Sequence, residues 1–182
     1  MNINDMLMKA HNNLMASSVS EGVKQSAVKT IQQLRVICND RLRVCAGRAR
    51  CFVNHLTKTV FNLRLEWNPH LFARMTENQQ FNTVSHEYAH LVESMHRFQS
   101  DHGYFWQTLH RACGGTAERT HTYDTTGLKK NIKRLIIVDT ITNREYKITM
   151  NNWNRIRYES RYKLLKTEVY QGRTLMASHT HA

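Results

Sequence analysis

The stretch from Phe81 to Phe98 leaves the chain few ways to fold. It contains neither proline nor glycine, and Phe81, Val84, Tyr88, Leu91, Met95 and Phe98 recur at helical spacing. At about 100° per residue they form one apolar stripe. His86 and His90 fall on the opposite side. A helix patterned this way packs its stripe on a core and turns its histidine side to a cleft. Glu77 and Asn78 suit its first turn. Within it stands His86-Glu87-Tyr88-Ala89-His90, the H-E-x-x-H pattern. Residues four apart on a helix lie one turn and roughly 6 Å apart, so two imidazoles there can share one divalent ion. Glu87, beside the first, can take a proton from a water which that ion activates.

A hydrolytic site of this kind needs a third protein ligand and an open position. The sequence offers three groups. His96 lies six residues after His90, a spacing that requires a glycine three residues after the second histidine to turn the chain back. Glu93 occupies that position, so the helix should continue and carry His96 away, about 9 Å along its axis. Glu93 itself shares the histidine face but sits about 10 Å along the axis from His86, too far to bind the same ion. It suits a supporting role. His102 lies in Asp101-His102-Gly103, a turn that can present an imidazole back to the helix, and the spacing favours it. His11, His55, His70, His110 and His121 have no such placement and read as surface or packed histidines.

The rest of the chain suggests an α+β protein. Residues 1 to 40 read as helical. Val23, Ala27, Val28, Ile31, Leu34 and Ile37 keep helical spacing, with a start near Ser20 and a stop at Asn39-Asp40. Val60 to Trp67 alternates as a half-buried antiparallel strand with Phe61, Leu63, Leu65 and Trp67 on one face, ended by Asn68-Pro69. A second helix runs from Tyr104 to Cys113 and stops at Gly114-Gly115. From about Leu128 the composition shifts to short strands separated by turns. The expected division is a core over residues 1–127 and a basic, β-rich extension over 128–182.

The formal net charge is +12, which favours polyanionic partners, nucleic acid first. Lys129, Lys130, Lys133 and Arg134 form a basic run, and Trp153, Arg155, Arg157 and Arg161 interleave cations with an aromatic ring. Such groups suit phosphates and exposed bases. The four cysteines form no C-x-x-C pair, and three stand at apolar positions, as plain thiols do. No apolar run is long enough for a membrane span, and the N-terminus lacks a signal-peptide pattern. The expectation is a cytoplasmic protein, of a cell or of something that replicates inside one, with no membrane partner.

Three stretches together resemble the SprT-like metalloprotease family, which includes Spartan. The first is Ala46 to Cys51 with Leu65-Glu66-Trp67-Asn68-Pro69-His70-Leu71-Phe72. The second is His86-Glu87-x-x-His90 with Asp101-His102-Gly103 and Trp106. The third is Arg119-Thr120-His121-Thr122-Tyr123. Their order matches across residues 40 to 125. The resemblance implies a minimal zincin-like fold and a zinc-dependent endopeptidase, with one catalytic Zn²⁺ on His86, His90 and His102 and with Glu87 as base. Tyr88, Tyr104, His121 and Tyr123 are candidate donors to the transition state. Spartan-type members degrade proteins crosslinked to DNA, so the implied partners are a protein substrate and DNA. The basic extension resembles the family's C-terminal ribbon but has no cysteine between residues 128 and 182, so a second, structural zinc is not expected there. The rival from another class is a nucleic-acid-binding protein whose zinc site is structural or inactive. The intact Glu87 weighs against it, since a structural site needs no base.

Overall fold

The computed structural model describes residues 2–42, 45–119, 126, 134–139, 144–149, 161–164, 167–170 and 175–178. The chain divides into two units, Met1–Lys129 and Lys130–Ala182. In the first, α1 (Ile3–Ala16) and α2 (Glu21–Gln33) precede strands β1 (Arg35–Cys38), β2 (Gly47–Asn54) and β3 (Thr59–Trp67). A short turn of helix, α3 (Pro69–Phe72), leads to α4 (Glu77–Arg97) and α5 (Tyr104–Ala112). The strand order is β1-β3-β2, with β1 parallel and β2 antiparallel to β3. The expected α+β class holds. In the second unit, β4 (Arg134–Asp139), β5 (Arg144–Thr149) and β8 (Leu175–Ser178) form an antiparallel sheet in the order β5-β4-β8. There β6 (Arg161–Leu164) and β7 (Thr167–Tyr170) pair antiparallel.

Residues 1–40 are not helical throughout: α1 is a separate helix, and the helix expected from Ser20 to Asn39-Asp40 is instead α2 followed by the strand β1. Asn2 and Asp5 form a capping box at the start of α1, and Ser20 begins α2. The second helix stops at Leu34, which is extended (φ −72°, ψ 133°). The apolar spacing beyond it rests on Ile37, which with Val36 is β-branched and pairs with β3, Val36 opposite Leu65 and Ile37 opposite Glu66.

The sheet departs from strict alternation at one residue. Asn62 adopts the left-handed conformation (φ 57°) and the β2–β3 register shifts between Arg50 and Phe52. Asparagine tolerates this backbone better than most residues, and the extra residue forms a bulge. Val60, Leu63 and Leu65 therefore face the core, while Phe61 turns outward, against expectation, and is 52% exposed.

The helix α4 is the hub of the first unit. It contacts β2 and β3 of the sheet and the helices α1, α2 and α5. Val84, Tyr88 and Leu91 of its expected stripe are fully or nearly fully buried, with Met6, Leu14, Leu63, Leu65, Leu71 and Leu109 around them. Phe81, Met95 and Phe98 pack at the margin of the same core. Burial supplies most of what holds such a domain together, about 25 cal/mol for each Å² of apolar surface removed from water.

Tyr88 is the polar exception inside that core. Its hydroxyl lies 2.7 Å from His11 Nδ1 and donates to the Ala27 carbonyl at 3.3 Å. One side chain thus ties α4 to both N-terminal helices. Burial lowers the pKa of His11 and keeps its ring neutral. Tyr88→Phe removes the hydroxyl and leaves the His11 ring nitrogen short of a partner. Urea denaturation is expected to show a loss of about 1–3 kcal/mol.

Candidate metal centre

Two of the three expected ligands come from α4, and the third depends on how that helix ends. Thr76 and Gln79 make a capping box that fixes its start. Its end is Phe98, left-handed at φ 59° and ψ 24°, whose N–H donates to the Ser94 carbonyl at 2.9 Å. A bulky residue there costs roughly 1–2 kcal/mol. Packing of the ring at the core margin, with the Lys58 ammonium 5.6 Å from its centroid, works against that cost. The left-handed residue turns the chain back on itself, as a glycine does in other helix ends.

Glu93 fixes the returning loop. Its side chain is fully buried. One carboxylate oxygen accepts from Ser100 Oγ at 3.0 Å and from the Asp101 N–H at 3.1 Å, and the other from Arg97 at 3.3 Å. Ser100 Oγ in turn lies 2.7 Å from His90 Nδ1. With Ser100 donating to Glu93, the His90 Nδ1–H donates to Ser100, which leaves His90 Nε2 with its lone pair free for a cation. Glu93 therefore supports two ligands at once, His90 through Ser100 and His102 through the loop backbone.

The three Nε2 atoms converge. Those of His86 and His90 are 3.3 Å apart, His90 and His102 3.1 Å, and His86 and His102 3.2 Å. Tetrahedral zinc at 2.0–2.1 Å from each nitrogen sets its ligands about 3.3 Å apart, so the triangle fits. Three lone pairs aimed at one point repel unless a cation lies between them. Burial pushes His90 down to about 4, with His102 and His110 nearby adding to the effect, and burial also lowers His102. Both rings are then neutral near pH 7, the form that binds metal. His86, His90 and His102 are the described group placed to hold a metal ion.

Trp106 of α5 forms the floor. It is fully buried, and its ring lies 4.6 Å from that of His86, 5.1 Å from His90 and 4.7 Å from His102. Behind it His110, also fully buried, has Nε2 3.1 Å from Ser85 Oγ and accepts the Ala117 N–H on Nδ1 at 3.1 Å. Sequence reasoning set His110 among surface or packed histidines, and it is packed.

Glu87 is held from the sheet. Its Oε2 accepts the Ala49 N–H of β2 at 2.7 Å. Removal from water pushes its carboxyl up to about 7, against the pull of that N–H and of Arg48. Gly47 makes the close approach possible, since a Cβ there would meet Glu87 Cγ at 2.8 Å and Thr83 Cγ2 at 2.9 Å. An open cleft lined by Gly47, Ala49, Cys51, Glu87, Ser94 and the three histidines runs between β2 and α4. A carboxylate poised to accept a proton, a three-imidazole cation site and the edge strand of the described sheet thus border one groove.

A family model described as the SprT-like family matches residues 12–131. The chain belongs to the SprT-like family. Membership points to a metalloprotease-related function, and five helices over a small mixed sheet agree with a minimal zincin-like core. No curated protein and no solved structure matches. Among the described residues of this SprT-like protein, no helix is long and apolar enough to cross a membrane.

The other expected site residues fall in several places. His96 is packed away from the ligands, stacked on Phe105 at 5.5 Å with Nδ1 3.2 Å from Ser26 Oγ. The Tyr88 hydroxyl lies in the core against His11 and Ala27, and Tyr88 does not line the cleft. Tyr104 is 82% exposed at the start of α5 and is not among the cleft-lining residues. His121 and Tyr123 lie outside the described residues, as do Lys129, Lys130, Lys133, Trp153, Arg155 and Arg157. Arg134 stands at the start of β4 and Arg161 at the start of β6. Of the cysteines, Cys113 is buried, Cys51 half-buried, and Cys38 and Cys45 are exposed, one more exposed thiol than the apolar pattern suggests.

Ser100→Ala breaks the link between His90 and Glu93 without touching a ligand. Chelator competition is expected to show metal affinity reduced about 10- to 100-fold.

Proposed function

We propose that this chain is a zinc-dependent endopeptidase acting on DNA-associated or DNA-crosslinked proteins. The observation that carries the hydrolytic part is Glu87, a carboxylate pushed toward neutral pKa beside three converging imidazole nitrogens. Three neutral histidines suit zinc among the common divalent ions. When bound, zinc supplies Lewis acidity, which makes water nucleophilic near neutral pH and polarises a carbonyl.

The chain's own groups do the rest. His86, His90 and His102, which border the cleft, would hold the ion. Glu87 takes the proton of the attacking water and passes it to the departing amine nitrogen. Its Ala49 tether aims the carboxylate, and a bound dication would draw its pKa below the value that burial alone sets. Among the described residues β2 is an edge strand, and its backbone groups other than the Ala49 N–H suit an extended peptide, hence a protein substrate. The net charge of +12 supports a polyanion as the second partner, with the basic residues after Leu128 contributing.

The experiment measures bound zinc and cleavage of a DNA-bound protein, with and without single-stranded DNA. Zinc at one equivalent and DNA-stimulated cleavage are expected. Zinc without cleavage of any protein favours the binding-module reading, and equal cleavage of free protein without DNA favours a general peptidase. Glu87→Gln is expected to keep zinc and lose cleavage by about 10²-fold or more. Removal of the metal by a chelator should abolish cleavage, and added zinc should restore it.

A further inference from the structure

The side of the β1-β3-β2 sheet turned away from α4 is built unlike an ordinary solvated face. Phe52 and Phe61 stand directly opposite each other on β2 and β3. Their rings are stacked, 5.5 Å between centroids and 22° between planes, yet they are 55% and 52% exposed. Phe61 reaches this face only because of the bulge at Asn62, without which strand alternation would send it to the core with Leu63 and Leu65. The chain thus accepts an irregular backbone in its central strand and two aromatic rings in water.

Beside the pair runs a row of like charges. The register sets Arg35 of β1 opposite Arg64 of β3, and Arg64 opposite Arg50 of β2. Three guanidinium groups on adjacent strands, spaced about 4.8 Å per strand, repel one another. Glu66 is the only acidic residue in these three strands. It is nearly fully buried, lies 3.6 Å from Arg50 and accepts from Asn39 at 2.7 Å, so one carboxylate stands against three guanidinium groups and the row keeps a net positive charge. Arg64 Nε donates to Asn62 Oδ1 at 2.9 Å, which ties the row to the bulge that turns Phe61 outward.

We propose that this sheet face binds single-stranded DNA, with bases stacked on the Phe52–Phe61 pair and phosphates paired with Arg35, Arg64 and Arg50. Exposed rings have a use for unpaired bases, which carry open π-faces, and not for duplex bases, already stacked on each other. The arginine row is unfavourable alone and favourable against a polyanion. Arg50 also lines the metal cleft, so a strand held here runs past the groove and brings a protein attached to it within reach. This deepens the DNA part of the reading above and rests on none of the hydrolytic chemistry.

The test uses the full-length, zinc-loaded chain carrying Glu87→Gln, which prevents self-digestion, with a labelled oligothymidine followed by fluorescence anisotropy. Replacing both phenylalanines by alanine should weaken binding about fivefold to a hundredfold, and tyrosine at both positions should restore it. Affinity for a duplex of equal length should change far less. Arg50→Gln and Arg64→Gln, which leave the rings in place, should each lower the slope of log affinity against log salt by about 0.7. Unchanged single-strand affinity and slope in these variants overturn the assignment. So does an equal loss on duplex, or a loss confined to replacement of Lys129, Lys130, Lys133 and Arg134. Failure of the peptidase reading is separate, because it appears as absent cleavage with Glu87 intact and leaves these affinities unaffected.

Discussion

One buried carboxylate decides whether the three imidazoles meet. Glu93 sits inside the protein with no exposed surface, and burial raises its pKa, with the Asp101 charge adding to the rise and the Asp101 N–H, Ser100 and Arg97 opposing it. An unpaired carboxylate there would cost several kcal/mol. Its partners, two from the returning loop and one from the same helix, remove much of that cost. In doing so they place Ser100 against His90 and set the position from which His102 reaches back. The helix supplies two ligands through its own periodicity. The third arrives only because a charge four residues before Arg97 has to be satisfied from elsewhere in the chain.

The sheet meets the same helix from the other side and contributes a different kind of control. Ala49 offers a backbone N–H to Glu87, and Gly47 offers the absence of a side chain. Neither would stand out by chemical type, since one is an ordinary strand residue and the other a glycine outside any turn. Together they fix where the carboxylate lies, between a peptide edge and the imidazoles. The cleft is therefore a joint product of β2 and α4, and its two walls are held by one short hydrogen bond.

Much of this was legible in the sequence, because periodic signals are strong where an element is long. The α4 stripe, the opposed histidines, the stop at Gly114 and the poor fit of His96 all follow from helical geometry. Glu93 could be read as a supporting group from its distance alone. The errors lie where one residue changes the period. Asn62 flips Phe61 to the outer face, and the chain from Arg35 to Cys38 pairs with β3 although its apolar spacing also suits a helix. Tyr88 looked available because it sits between the two histidines in the sequence. On the helix it lies about 200° from His86 and on the far side from the cleft. The roles of Trp106, Gly47 and Ala49 rest on contacts between distant segments, which no local pattern encodes.

The indole beneath the ligands has a consequence for what happens when an ion arrives. Trp106 touches all three imidazoles and is itself without exposed surface. Packing against one buried indole restricts the rings, so part of their rotational freedom is given up when the domain folds rather than when a cation enters. Such a preorganised socket spends little of its affinity on ordering itself.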